Sequence, residues 1–466
     1  MSLKEVHVNV RSPLSCFYCW RHIPPHQLKW ISESKELFED HRLGEEQARF
    51  LPTRFTADGR AIDEMGSPCD RLACPNCHLP IPKESLRTRP FFVSVAGTPS
   101  SGKTFFLTAM IHCLRKILAD KACFSFESLE SGGSKLLFEN EDRLFGNPES
   151  DELVSLEKTQ EFGELYRLVQ FNQELVSYPQ PFLFHLRPTL DHPHRRQKQK
   201  ISRLIALYDN AGESFDVGRD SLVNPVTRHL GLANVLMFCL DLHQETAFQN
   251  KIRKPRSGVN PRERPNAEPN NLSEWATDKP PSIHSSIPQE SSMGFKTGAQ
   301  RSRERTAKPL RPGHQLESFK EMCRRANQYS PTQSTRRNLI IVVTKFDEWS
   351  SKLGVTLTRK LWSRNDRFKI SAFDTELVSE TSQTLRNILH KRIPEFVETA
   401  ERFSDRVRFI PVSAMGAAPE LLDDGSNAVR PKNITPVWTD VPLVYAMSKW
   451  CGGLIPFAKS KSPRHS

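Results

Sequence analysis

No apolar run in this sequence approaches the ~20 residues that span a bilayer, which argues against a helical membrane protein. The opening residues, Met-Ser-Leu-Lys-Glu-Val-His, lack the apolar core of a secretory signal, so a soluble, cytoplasmic protein is expected. Apolar residues make up only 37% of the 466 positions, and 34 positions are proline. A chain so composed cannot bury all of itself, and part of it is expected to stay unfolded. Residues 246–335 fit that part. They are rich in Pro, Ser, Asn, Arg and Lys, with Pro255, Pro261, Pro265, Pro269, Pro280 and Pro281 and almost no apolar periodicity. Helical spacing returns there only over 315–328, around Leu316, Phe319, Met322 and Cys323.

Acidic residues are in deficit, and the net charge is +12. Such an excess suits an acidic partner such as nucleic acid. Much of it lies in the proline-rich insertion, at Arg301, Arg303, Arg305, Lys308 and Arg311, where a solvated charged linker is the simpler reading. The interleaved aromatics of a single-strand binding surface are missing.

Cysteine is unevenly spread. Cys113, Cys123, Cys239, Cys323 and Cys451 are scattered, and the apolar patterns around Cys113 and Cys239 mark those two as small buried hydrophobes. The other five precede residue 80. Cys16-Phe-Tyr-Cys19 and Cys74-Pro-Asn-Cys77 are two C-x-x-C knuckles, and together they supply the four thiolates of a tetrahedral Zn²⁺ site. A redox pair, or exchange of a ligand with Cys69, His22 or His78, stays open. Four protein ligands leave no free position, so the zinc is expected to be structural, in a module suited to docking protein or nucleic acid.

The segment Gly97-Thr98-Pro99-Ser100-Ser101-Gly102-Lys103-Thr104 matches the phosphate-binding pattern G-x-x-x-x-G-K-[ST]. The apolar run Phe91–Ala96 leads in as a strand, and a helical pattern follows with Phe106, Met110, Cys113 and Ile117 on one face. That context suits the chemistry. Glycines let the backbone wrap phosphates, while amide N–H groups and a helix N-terminus supply positive potential. Lys103 would reach the β- and γ-phosphates, and the Thr104 hydroxyl would bind Mg²⁺. A second strand, Leu204–Tyr208, ends in Asp209, placed for the metal, with Gly212 placed for a backbone N–H at the γ-phosphate. Two further buried strands end in Thr344-Lys345-Phe346-Asp347 and in Ser413-Ala414-Met415.

These four elements, in this order, resemble the G1, G3, G4 and G5 boxes of TRAFAC-class P-loop GTPases. The resemblance implies an α/β P-loop fold, a mostly parallel sheet flanked by helices, here joined to an N-terminal zinc-ribbon-like module. It implies GTP or GDP as ligand: Asp347 accepts from guanine N1 and N2, Lys345 lays its stem over the base, and the backbone at Ser413 and Ala414 meets O6. Thr344 stands where asparagine is commoner. Glu213 follows Gly212 where glutamine usually orients the attacking water. A carboxylate accepts from water but offers no amide donor, which implies slow hydrolysis until a protein partner or self-association completes the site. The knuckle pair, the A-G-T-x-x-S-G-K-T loop, L-Y-D-x-A-G-E and T-K-F-D together resemble the double-GTPase proteins of bacterial conflict systems, some of them linked to antiphage defence.

The expected division is a zinc module over 1–88, the GTPase domain in two halves over 89–245 and 336–452, the basic insertion over 246–335 between them, and a basic tail over 453–466. The stretch from Thr104 to Asp209 is longer than a minimal GTPase domain needs. It contains amphipathic segments over 135–145 and 159–171, and two candidates for the switch I threonine, Thr159 and Thr189. Two other readings stay open: a nucleotide-binding scaffold without turnover, and an ATPase of another P-loop class.

Overall fold

The computed structural model describes residues 14–129, 132–156, 165–172, 174–210, 227–245, 313–329, 337–363, 370–422, 427–452 and 454–457. Apolar runs legible in the sequence form most of one seven-stranded sheet. Its strands are β1 (Arg89–Gly97), β2 (Phe124–Ser128), β3 (Phe182–Pro188), β4 (Arg203–Asp209), β5 (Val235–Leu240), β6 (Asn338–Val343) and β7 (Arg406–Pro411). The spatial order is β2-β3-β4-β1-β5-β6-β7. Strands β4, β1, β5, β6 and β7 are parallel neighbours, and β3 runs antiparallel to both β4 and β2. The fold is therefore α/β with a mixed sheet. The basic turn through Arg195 and Arg196 joins β3 to β4, with Leu183 opposite Ala206.

The continuous apolar character of β1, β4, β5 and β6 follows from burial on both faces. Successive side chains point to opposite faces. Phe91, Val93 and Val95 of β1, and Ile205 and Leu207 of β4, pack under helices α1 (Lys103–Ala122) and α2 (Gly132–Phe145). The other face is shared. Over β5 and β6 it is covered by α3 (His314–Tyr329), α4 (Phe346–Leu353), α5 (Thr375–Arg392) and α6 (Pro394–Phe403). Over β3 and β4 it is covered by the N-terminal module, whose Phe17, Trp20 and Leu79 share one cluster with Leu183, Leu204, Ala206 and Tyr208. Residues 14–88 are thus one layer of the fold, packed onto the sheet.

Helix α3 matches the spacing read within the insertion, and Phe319, Met322 and Cys323 are buried. Two readings shift. The core stripe of α1 runs through Leu107, Met110, Ile111, Leu114 and Leu118, leaving Cys113 and Ile117 half-buried at its margin. Residues 157–164, Thr159 among them, lie outside the described residues. The rest of the 159–171 segment contains the strand Tyr166–Phe171, paired with Glu174–Pro179. Its alternation sends Val169 and Val176 to the N-terminal module and leaves Leu168 and Leu175 exposed. No described helix is long and apolar enough to cross a membrane.

Leu114 is fully buried where α1 meets the sheet. Leu114→Ala is expected to destabilise the protein by about 2–5 kcal/mol, the range for a large-to-small change in a packed core. Chemical denaturation of the two proteins side by side checks this.

Candidate functional site

Strand β1 ends at Gly97, and α1 starts at Lys103. The turn between them needs unusual backbone. Gly102 has φ +82° and Ser100 φ +62°, a region glycine enters without strain. Gly97 has a different requirement. A Cβ there would sit 2.9 Å from both Cys239 Cβ and Ser101 Oγ, so the loop closes against β5 only without a side chain. Burial of Cys239 within β5 pushes its thiol up to about 12.

Lys103 and Asp209 are both buried, with Lys103 Nζ 3.8 Å from Asp209 Oδ1. Thr104 and Asp209 line one small cavity with Asn140 of α2 and Phe182 of β3. The Ser101 hydroxyl is buried within the loop and has no hydrogen-bond partner among the described residues. Beside the loop, Thr98 donates its hydroxyl to Gln244 Oε1 at 2.8 Å, and Gln244 Nε2 donates to the Pro99 carbonyl at 3.1 Å.

The loops after β6 and β7 reach the same end of the sheet. Thr344 donates its hydroxyl to the Ser101 carbonyl at 2.9 Å and lies 3.2 Å from the Leu240 carbonyl. A threonine here thus does a tethering job, joining the β6 loop to the phosphate-loop segment. Trp349 Nε1 donates to the Thr344 carbonyl at 2.7 Å, pinning that loop from α4. Lys345 has φ +56°, and its Nζ donates to Asp241 Oδ2 at 2.7 Å. Ser413 donates its hydroxyl to Asp347 Oδ1 and accepts from Gly416 N at 2.8 Å. Ala414 follows, half-buried.

Gly97 through Thr104, Asp209, Thr344, Lys345, Asp347, Ser413 and Ala414 therefore converge at the carboxyl ends of β1, β4, β6 and β7, where open α/β sheets bind ligands. Gly212, Glu213, the insertion arginines and the basic tail from Lys459 lie outside the described residues. Thr189 is tied by its N–H and hydroxyl to the Cys123 carbonyl, at 2.8 and 3.0 Å. That is the opposite end of β3 from Asp209, so Thr189 does not meet the site. Sequence reasoning did not foresee Gln244, or Asp241 as the partner of Lys345. No motif marks either one. Their only signal was that they follow β5, the strand that pairs with β1.

The cysteines form a second site. The sulfur atoms of Cys16, Cys19, Cys74 and Cys77 all lie within 4.8 Å of one another. The two knuckles are built alike. Cys16 N bonds to the Arg21 carbonyl and Cys74 N to the Leu79 carbonyl, each at 3.0 Å. The residue after each second cysteine, Trp20 or His78, has positive φ. Tyr18 N points at Cys16 Sγ and Asn76 N at Cys74 Sγ, at 3.3 and 3.4 Å. Burial drives the Cys16 and Cys77 thiols up, whereas hydrogen bonds from neighbouring thiols pull Cys19 and Cys74 down. Four buried sulfurs aimed at one point fit Zn²⁺, whose charge would offset the cost of burying thiolates. The exchange candidates are engaged elsewhere. Cys69 faces Asp63 at 3.5 Å, His22 is exposed, and His78 sits between Asp40 and Lys29.

No family model matches this chain, and no curated protein matches its sequence. Among solved structures it is similar to sup35 complexed with GDP, at 10% identity and a TM-score of 0.22, over 72% of this chain and 40% of that one. It is also similar to the Ski7 GTPase-like domain of S. cerevisiae bound to GTP, at 11% identity and a TM-score of 0.27, over 79% of this chain and 52% of that one. The chain thus matches only about half or less of the length of each, and likenesses this loose assign no activity.

Metal analysis of the full chain is expected to find one Zn²⁺ per molecule, lost in Cys16→Ser and in Cys74→Ser with a fall in melting temperature. A metal-free wild type with the same melting temperature would refute the site.

Proposed function

We propose that this protein binds GTP with Mg²⁺ and hydrolyses it to GDP and phosphate, with a structural zinc in its N-terminal layer. The observation that carries this reading is the convergence of the Gly97–Thr104 loop, Asp209, the Thr344–Asp347 loop and Ser413–Ala414 at one end of the sheet. The backbone N–H groups of Gly97–Thr104 and the N-terminus of α1 receive the phosphates. Lys103 supplies a cation at the β- and γ-phosphates, and the unpartnered Ser101 hydroxyl lies in the same loop. Thr104 and Asp209 are the residues that would hold Mg²⁺. When bound, the ion neutralises charge developing on phosphate oxygens.

Asp347 reads the guanine edge by accepting two hydrogen bonds. Its carboxylate is already oriented by Ser413, which belongs to the loop assigned to guanine O6. Lys345, aligned by Asp241, lays its stem over the base. Gly212 gives a backbone N–H to the γ-phosphate, and Glu213 accepts a proton from the attacking water. The carboxylate opposes the phosphate charge, so turnover by the isolated protein is slow and a protein partner or a second copy raises it. The defence role rests on the motif resemblance alone.

The test begins with nucleotide choice. Wild type should prefer GTP over ATP, and Asp347→Asn should shift preference toward xanthosine triphosphate, because the new amide donor finds an acceptor on the altered base. Equal binding of ATP and GTP by wild type would remove the guanine reading. Lys103→Ala should weaken GTP binding by roughly 100-fold or more, the scale of losing a buried charged contact; wild-type affinity in this variant would mean the loop is not the site.

Hydrolysis is tested separately. Glu213→Ala should leave GTP affinity nearly intact and lower single-turnover hydrolysis roughly 10- to 100-fold, as expected on removing a positioned base. An unchanged rate would assign the water to another group.

A further inference from the structure

Strand β4 sends two consecutive side chains to opposite faces. Asp209 turns to the α1 face, beside Lys103. Tyr208 turns into the N-terminal layer and is fully buried there. Its hydroxyl donates to the Phe17 carbonyl at 2.7 Å and accepts from Trp20 Nε1 at 3.3 Å. Phe17 lies inside the first cysteine knuckle, and Trp20 follows it directly.

The Tyr208 ring stacks flat on His229, with centroids 4.5 Å apart and planes 4° from parallel. His229 is itself fully buried, and the Trp20 ring lies 5.7 Å away. Its Nδ1 lies 2.7 Å from Ser94 Oγ on β1, and its Nε2 lies 2.9 Å from Asn210 Oδ1. Asn210 immediately follows Asp209. Its side-chain Nδ2 and its backbone N–H both point at the Val95 carbonyl, at 3.3 Å each. That orientation leaves Asn210 Oδ1 only as an acceptor. Nε2 therefore donates to Asn210 Oδ1, and Nδ1 shares a hydrogen bond with the Ser94 hydroxyl. The result is a polar chain, Ser94–His229–Asn210–Val95, in which β1 grips the backbone just beyond Asp209.

We propose that His229 is a positioning residue for Asp209, and that the Tyr208–Trp20 contact makes the zinc knuckle part of the same support. No nucleotide motif contains His229. It acts by holding Asn210, hence the direction in which the preceding carboxylate is presented to Mg²⁺, while the stacked tyrosine fixes the imidazole plane. Loss of a group that orients a metal ligand from behind typically costs roughly 10- to 100-fold in metal affinity. The inference rests on the Mg²⁺–nucleotide reading of the site.

The experiment measures GTP affinity of the full chain in Mg²⁺-depleted buffer and in saturating Mg²⁺, without chelators that would also strip zinc. In His229→Ala the tightening caused by Mg²⁺ should shrink roughly 10-fold, the lower end for loss of a supporting group, while Mg²⁺-free affinity stays near wild type. His229→Gln, which keeps an N–H donor, should recover part of that tightening. Tyr208→Phe keeps the stacked ring but loses the bridge to Phe17 and Trp20. It should shift Mg²⁺ dependence in the same direction as His229→Ala, and it provides the test if His229→Ala does not fold. Equal loss of affinity with and without Mg²⁺ would make His229 merely structural and overturn the inference. So would variants with wild-type Mg²⁺ dependence. Wild type that binds no nucleotide in either buffer would remove the nucleotide reading, and this inference with it.

Discussion

A strand buried on both faces must send neighbouring side chains into different layers, and this constraint on β1 and β4 organises the molecule. In β4, Ile205 and Leu207 join the α1 face while Leu204, Ala206 and Tyr208 join the N-terminal layer. Asp209 inherits the α1 face and so meets Lys103. In β1, Val93 and Val95 pack under α1, and Ser94 points the other way, to His229. With both faces filled by apolar packing, the polar groups gather at the strand ends, and the candidate nucleotide site is built there.

The loops at that end hold one another. Thr344 hydrogen-bonds to the Ser101 carbonyl, Ser413 to Asp347, Lys345 to Asp241, and Gln244 to both Thr98 and the Pro99 carbonyl. Each bond joins segments far apart in sequence. A shift in one loop would leave a buried donor or acceptor unpaired, which costs more than the net gain of making the bond. The geometry of the site is therefore a property of the assembled sheet end.

The N-terminal layer has a different physics. Its strands are only two to four residues long, too short to bury much apolar surface on their own. A metal held by the four buried cysteines would suit such a layer. Its aromatic residues Phe17 and Trp20 pack against Phe92, Tyr178, Tyr208 and His229. Packing of the knuckle and packing of the sheet edge depend on each other. The position that elsewhere on this face is filled by helices α3 to α6 is filled here by the cysteine module.

The local pieces are legible in the residues alone: the strand, loop and helix around Lys103, the apolar runs of β4, β6 and β7, the helix over 315–328 and the two cysteine knuckles. Periodicity, glycine placement and cysteine spacing act over a few residues, so they can be read locally. Tertiary structure decided what those pieces meet. It turned the α1 stripe toward Leu114 and Leu118, placed a strand at Tyr166–Phe171, and set Thr189 at the far end of β3. It also brought Gln244 and Asp241 to the loops and joined Tyr208 and His229 to the first cysteine knuckle. None of these has a local signature, because strand order and two-sided burial bring together residues that are remote in the chain.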